Sequence, residues 1–416
     1  MKLINKIAII LNGPREIDMY SKIIDLVPKD KIEILISDIK SSEVGRNKIN
    51  QALQEALKKK NIRFKNFSSV HKEEKYKVIL SSGELTSTRL TLDSFFKYFY
   101  AKTIGALIRY TNLYLIFEKL FQRPFTGAHR DNIGSFWYPE KELAETSIKL
   151  PKDLDLKLKV YPPRAFDKAF DVFFTISNYE NKVIKKKFEN KKCHIVGYPR
   201  YTNLADKNES LQKIKEEFKL IENKKIIYWT PTFIHYPKEQ DLNILHWIKK
   251  ISVFTSAFNI IIRPHPRTLA SNIDLELQLK ALNFFVDTNH DRDIGNILNA
   301  SDLIIGDYGG TIFGSLYLKK PLILLNMSQK FKFIKNLVIS DSLDLELRKF
   351  LINFNEDVSY EIMDKKIQYA NTKEYQNEIN NVRAKYFDET DLYLNNNTKK
   401  FLLDFLKKEN ISGIKN

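Results

Sequence analysis

Apolar residues fall in short runs separated by stretches with helical spacing. Lys6-Ile7-Ala8-Ile9-Ile10-Leu11 is one such run, ending at Asn12-Gly13-Pro14. Residues 32–36 and 76–80 are two more, with a charged helical stretch at 44–59 between them. Runs at 170–176 and 193–196 repeat the pattern around a helical stretch at 178–188. Continuous apolar runs that alternate with helical periods predict strands buried on both faces, in a parallel sheet covered by helices. Two segments depart from this rhythm. Residues 90–121 predict a long, mostly apolar helix, and residues 123–164 mix proline, aromatic and charged positions as in a long loop or small subdomain.

The second half alternates more cleanly. Strands are expected at 225–229, 259–263, 284–287, 302–305 and 321–325, with helices at 242–253, 274–281, 294–300 and 311–318. That succession predicts a second doubly wound, Rossmann-like sheet. The fold class expected is therefore α/β with two such domains. The first covers residues 1–200, with a helical and loop insertion at about 90–165, and the second covers 201–390. The polar stretch "YTNLADKNES" marks the boundary, and a C-terminal helix spans 391–416.

Composition narrows the function classes. The chain has 416 residues, 43 % hydrophobic and 29 % charged, which suits two globular cores and excludes gross disorder. Its one cysteine, Cys193, excludes an intrachain disulfide and a four-cysteine zinc site. Met1-Lys2-Leu3-Ile4-Asn5 leads into a strand-like run rather than a secretory leader, and no apolar stretch reaches the ~18 residues of a membrane span. A cytoplasmic location is expected. The net charge of +17 favours an anionic partner such as a phosphorylated substrate or anionic lipid. No helix-turn-helix, zinc-finger or RNP-like string is present, so nucleic acid is not the expected partner. Lys97, Lys102, Arg109, Lys119 and Arg123 lie among the aromatic residues of the 90–121 stretch. This is the pattern of a helix seated on the anionic inner face of the plasma membrane, or of a core helix with snorkelling cations.

Chemistry-bearing residues gather at strand ends. Asp307-Tyr308-Gly309-Gly310-Thr311 separates a predicted strand from a predicted helix. Glycines permit a tight turn and close approach of a ligand, and the first N–H groups of a helix favour an anion, so this turn reads as a phosphate cradle. Paired glycines before a helix also serve packing alone. Thr311 is placed to cap the helix or to bond a phosphate oxygen. A second strand ends in Ile261-Ile262-Arg263-Pro264-His265-Pro266-Arg267. Arg263 and Arg267 are candidates to neutralise phosphate. His265, stiffened by flanking prolines, is a candidate donor to a departing phosphate, a general acid, or simply a turn cap. A third strand ends in Trp229-Thr230-Pro231-Thr232-Phe233, with His235 close behind.

These segments carry a resemblance. "IIRPHP" followed by "SDLIIGDYGGTIFGSLYLKKPLILLN", with "CHIVGYPRYTNL", "KKIIYWTPTF" and "YFDETDLYLNNNTKKFLLDFL" in order, looks like the CDP-glycerol glycerophosphotransferases of wall teichoic acid and capsule synthesis. The likeness covers residues 170–406. It implies a GT-B fold, two Rossmann-like domains facing across a cleft. It implies transfer of glycerol phosphate, or a related polyol phosphate, from a CDP-activated donor to a polymer or lipid-linked acceptor at the cytoplasmic membrane face, with no metal or other cofactor. His265 and the 307–311 turn, with Thr230, Thr232, His235, Arg263 and Arg267 around them, would hold the donor nucleotide and its pyrophosphate. Four departures stand out. Gly309-Gly310 replaces the usual Ser-Ser. Gly314 replaces an acidic residue. Ile234-His235 stands where an arginine is common. No Trp-His-Gly-Thr-Pro string, the family's likely base, occurs. The Gly-Gly variant is similar to sugar-nucleotide GT-B enzymes, which leaves a glycosyltransferase using a CMP- or UDP-linked sugar in capsule or lipopolysaccharide synthesis as the alternative. For the base, the candidates in the first half are Glu84 in "SSGELTSTR", His129 in "GAHRD", and Asp131 two residues on.

Overall fold

The computed structural model describes residues 2–36, 46–66, 69–70, 74–83, 139–154, 156–159, 161–162, 164–198, 201, 204–234, 236–289, 292, 294–387, 404 and 407–408. Ile7 to Leu11 are fully buried in the C-terminal half of β1 (Lys2–Leu11). Such a run has no polar face to offer water, and a parallel sheet with helices on both sides is the arrangement that covers it. β1 pairs with β2 (Ile32–Ile36) on one side and β4 (Glu74–Ser81) on the other. β3 (Phe64–Asn66) lies outside β2, while β5 (Ala144–Lys149), β6 (Val172–Thr175) and β7 (Lys192–Ile195) continue beyond β4. The order is β3-β2-β1-β4-β5-β6-β7, and every pair is parallel.

The second sheet repeats the plan with β8 (Ile226–Thr230), β9 (Asn259–Ile262), β10 (Phe285–Val286), β11 (Leu303–Gly306), β12 (Leu322–Leu325) and β13 (Asn353–Phe354). Its order is β10-β9-β8-β11-β12-β13, again parallel throughout. In each sheet the chain begins centrally, winds to one edge, then crosses back. The reversal falls between β1 and β4 in the first sheet and between β8 and β11 in the second. Crevices at the carboxyl ends of strands that flank such a reversal are where α/β sheets bind ligands.

The apolar runs became strands within a few residues of the expected ends. The correction concerns β5, which sits in the middle of the first sheet although residues 123–164 read as loop or subdomain. Its inward positions include Ser147 and Lys149, which breaks the apolar signal. The fold satisfies both. Asp171 accepts the Ser147 N–H at 3.0 Å and its hydroxyl at 2.9 Å, and Lys149 Nζ donates to the Leu150 carbonyl at 2.6 Å. β3 and β13 are too short to show an apolar period. The 90–121 helix, Glu84, His129, Asp131, His235 and all but three residues of the 391–416 tail lie outside the described residues. Among the described residues no helix is long and apolar enough to cross a membrane.

Two devices join the sheets. After β5 the chain runs onto the second half, where Leu343 N–H donates to the Leu156 carbonyl at 2.7 Å and Lys159 N–H to the Ser340 carbonyl at 3.0 Å. The helix Lys373–Tyr386 returns to the first half and sets Tyr386 edge-on to Tyr179, 5.1 Å between centroids. Between them Tyr198 stacks on Tyr201 and on Tyr317, with centroids 5.0 and 5.2 Å apart. Gly314, inside the helix Gly310–Tyr317, makes room for this stack, because a Cβ there would lie 1.9 Å from the Tyr201 hydroxyl. The phenol is buried and stacked, so it has nowhere to retreat. Gly314→Ala is expected to lower stability by about 1–3 kcal/mol, read as a lower urea midpoint. Tyr201→Leu in the same chain should restore part of that loss, and independent, additive effects of the two changes would contradict the steric account.

Candidate functional site

Three strand ends of the second sheet come together at its reversal point. β11 ends at Gly306, and Asp307 follows, 1 % exposed. Its Oδ1 accepts the Thr232 N–H at 2.8 Å and the Tyr308 N–H at 2.7 Å, which ties the turn after β8 to the turn after β11. Burial pushes the Asp307 carboxyl up to about 6, against the opposing pull of those two N–H donors and of the Arg348 guanidinium. Gly309 then takes φ +97°, a conformation open to glycine, and turns the chain into the helix Gly310–Tyr317. The Gly309 N–H donates to Asp344 Oδ1 at 2.9 Å. Asp344 is itself buried, and burial raises its carboxyl in the same way.

One guanidinium fastens this arrangement. Arg348 donates through Nη2 to the carbonyl oxygens of Asp307 and, at 3.0 Å, Leu325. Its Nε reaches Asn326 Oδ1 at 2.6 Å and its Nη1 reaches the Asp344 carbonyl at 2.6 Å. The group also lies 3.9 Å from the centroid of the Tyr308 ring. Neither Arg348 nor Asp344 was singled out from the sequence. Their four-residue spacing in "SLDLELRKF" is that of an ordinary surface helix, and nothing local shows that the pair faces inward.

The remaining expected residues separate into two groups. The Thr232 hydroxyl faces Gly309, 3.3 Å from where a Cβ would stand. Thr230 is buried at the end of β8, and its Oγ1 has no hydrogen-bond partner among the described residues. His265 follows β9 and packs against Phe233, with centroids 5.2 Å apart. Its Nδ1 accepts the Arg267 N–H at 3.1 Å, which fixes the neutral ring as the Nε2–H tautomer, a donor. Arg267 is exposed, with its guanidinium 5.6 Å from the Phe233 centroid. Gly310 and Thr311 open the helix, where the i−4 ladder supplies no acceptor for their N–H groups. Thr311 lies inside the first turn, so the cap position expected for it belongs to Gly309.

Two residues sit differently from expectation. Arg263 donates to Asp287 Oδ2 at 2.8 Å, its side chain 9 % exposed. Arg292 Nε and the Tyr228 hydroxyl share that carboxylate at 3.1 and 3.2 Å, so Arg263 secures the β9–β10 edge. Tyr308 points inward, its hydroxyl accepting the Met327 N–H at 3.0 Å and its ring meeting Phe333.

The first sheet brings a polar cluster to its own reversal point. Glu16, 2 % exposed, accepts the Asn12 N–H at 2.7 Å, the Ser82 hydroxyl at 2.7 Å and Lys152 Nζ at 3.1 Å. The next residue, Asp153, reaches the other half: a Cβ on Gly310 would lie 3.4 Å from its Cγ. The Tyr198 hydroxyl donates to Asp153 Oδ1 at 2.8 Å. The carboxyl ends of the two sheets therefore face each other across this segment. Asp153 escaped the sequence reading because "LPKDLDL" carries no motif. Among the described residues, no group of three or more His, Cys, Asp or Glu side chains is arranged to hold a metal ion.

The family described as CDP-glycerol:poly(glycerophosphate) glycerophosphotransferase matches residues 164–391. The teichoic acid poly(glycerol phosphate) polymerase of Staphylococcus epidermidis is 26 % identical over 238 residues, 54 % of this chain and 30 % of that protein. The teichoic acid ribitol-phosphate polymerase TarL of Staphylococcus aureus is 29 % identical over 139 residues, 30 % of this chain and 23 % of that protein. The chain thus spans less than a third of the length of either curated relative. Among solved structures, the wall teichoic acid polymerase TagF superposes with a TM-score of 0.56 at 15 % identity, over 98 % of this chain and 89 % of that one. That likeness shows the shared fold, the GT-B pairing of two parallel sheets.

The Asp307 carboxyl gives a test of the turn. A buried acid whose folded-state value is raised from 3.8 to about 6 contributes stability that is fully present below about 3.8 and is lost as pH rises through about 6. Asp307→Asn keeps an acceptor for the Thr232 and Tyr308 N–H groups and removes the titration. In urea unfolding, wild type should compare most favourably with the variant near pH 4, and the advantage should shrink towards pH 7. A difference that stays constant between those limits would contradict the burial.

Proposed function

The match covers more than half of the chain, so the chain belongs to the CDP-glycerol:poly(glycerophosphate) glycerophosphotransferase family, and from that premise we propose that it transfers a polyol phosphate from a CDP-activated donor. Glycerol phosphate is the proposed group, and the hydroxyl of a cell-surface polymer or lipid-linked chain is the proposed acceptor. The observation that carries this reading is the turn at the reversal of the second sheet. It presents the start of the helix Gly310–Tyr317 beside a buried Thr230 hydroxyl that lacks a partner among the described residues. Both features suit the oxygens of a diphosphate.

In this reading the nucleotide lies along the carboxyl ends of β8, β9 and β11. The N–H groups of Gly310 and Thr311 and the hydroxyls of Thr230 and Thr232 hold phosphate oxygens. His265, kept as the Nε2–H tautomer by the Arg267 N–H, donates to the phosphate that leaves with cytidine. Exposed Arg267 offers positive charge at the rim. Charge that accumulates on the bridging oxygen as the phosphorus–oxygen bond breaks is met by groups already in place, which lowers the barrier without reorganisation. The site works at the inner surface of the plasma membrane, where the chain's excess of cations meets anionic lipid.

Calorimetric titration of the whole chain with CMP, CDP, CDP-glycerol, UDP and UDP-N-acetylglucosamine tests the donor. Cytidine nucleotides should bind at least about tenfold more tightly than uridine nucleotides. His265→Ala should weaken CDP binding by about 1.5–3 kcal/mol, the range for a hydrogen bond to a charged group. Preference for uridine would make the chain a nucleotide-sugar glycosyltransferase. A folded chain that binds none of the five would remove the diphosphate seat altogether.

A further inference from the structure

We propose that Asp153 is the proton acceptor for the attacking hydroxyl, an inference that rests on the donor reading above. The residue belongs to the segment that leaves the carboxyl end of β5, and it is the described carboxylate of the first half that touches the start of the helix Gly310–Tyr317. A Cβ on Gly310 would stand 3.4 Å from its Cγ and 3.5 Å from its Oδ1. The contact therefore sets a carboxylate from one sheet directly against the proposed phosphate seat of the other.

Its surroundings hold it there. Pro151, two residues earlier, accepts the Tyr20 hydroxyl through its carbonyl at 3.0 Å. Lys152 is paired to Glu16 at 3.1 Å, at the reversal point of the first sheet. The Tyr198 hydroxyl donates to Asp153 Oδ1 at 2.8 Å, and Tyr198 is locked in the aromatic stack between the two halves. Three consecutive residues thus span from the reversal point of one sheet to that of the other, and the last of them is a partly exposed carboxylate. Glu16 is the competing carboxylate, and the geometry excludes it. It is 2 % exposed and already accepts from Asn12, Ser82 and Lys152, so a hydroxyl approaching from solvent cannot reach it.

The step balances as a displacement at phosphorus. The acceptor oxygen forms a bond to the phosphorus of the glycerol phosphate group. The bond from that phosphorus to the bridging oxygen breaks, and its electron pair leaves with CMP. The hydroxyl proton passes to an Asp153 carboxylate oxygen and from there to water. Tyr198 is a positioning residue that aims the carboxylate.

The test follows CMP release by the whole chain, with CDP-glycerol as donor and a short glycerol phosphate oligomer as acceptor. Asp153→Asn keeps an oxygen for the Tyr198 hydroxyl, so its urea midpoint should match wild type. Turnover should fall at least ~100-fold, as expected for loss of a general base, with the CDP dissociation constant unchanged within threefold. Asp153→Glu should recover part of the rate, with the CDP dissociation constant again unchanged. Turnover within threefold of wild type in Asp153→Asn would overturn the assignment. So would a loss of turnover matched by an equal loss of CDP affinity, which would make Asp153 part of the donor seat. Wild type that binds CDP-glycerol and releases no CMP would overturn the proposed transfer itself, a result separable from either of these.

Discussion

The Arg348 guanidinium is the constraint on which the site depends. Strands β11 and β12 end side by side, and the carbonyls of Asp307 and Leu325 meet there. Arg348 takes both, one just past β11 and one at the end of β12, and adds the carbonyl of Asp344 and the side chain of Asn326. A planar group with five N–H donors can satisfy that many fixed acceptors, and an ammonium cannot. Leaving a buried acceptor without its donor costs about 1–3 kcal/mol, a large share of the stability of a domain. The rest follows from this fastening. With the Asp307 carbonyl held, its carboxylate is left to join the turns after β8 and β11. With Asp344 held, its carboxylate takes the Gly309 N–H. Burial raises both carboxyls, and the Arg348 guanidinium between them pulls the other way. The N–H groups of Gly310 and Thr311, one residue further on, are left to face outward.

The strand orders bring the polar groups of both halves to the same place. Each sheet reverses its winding next to its first strand, and each reversal opens a crevice at the carboxyl ends. The second sheet lines its crevice with hydroxyls, a helix start and a donor histidine, groups that suit an anion. The first sheet lines its crevice with Asn12, Glu16 and Ser82, and sends a carboxylate across. The proposed transfer needs an acceptor on one side and an activated phosphate on the other, and the link after β5 sets the distance between the two crevices.

Much of the fold was legible because both sheets are parallel and doubly covered. Complete burial leaves apolar runs, and Ile7 to Leu11 or Ile260 to Ile262 announce themselves. β5 was not legible because Ser147 and Lys149 are polar and buried, and their partners, Asp171 and a backbone carbonyl, are set by tertiary contact. The candidate site was legible in part. Asp307, Gly309, Thr232 and His265 lie at strand ends where residue type and position point to one edge. Arg263 illustrates the limit: strand position put it at the edge, but Asp287, 24 residues on, captured it. Arg348, Asp344 and Asp153 were beyond reach for the same reason. Each acts through a residue distant in sequence, Asp307 for Arg348, Gly309 for Asp344 and Gly310 for Asp153, and no local pattern records such a pairing.

The most direct measurement is a crystal structure of the chain with CDP bound. Oxygens of the distal phosphate are expected within hydrogen-bond distance of the Gly310 or Thr311 N–H and of the Thr230 hydroxyl, with His265 Nε2 on the bridging region and Arg263 still paired to Asp287. Phosphates bound elsewhere, with the start of the helix Gly310–Tyr317 untouched, would contradict this placement.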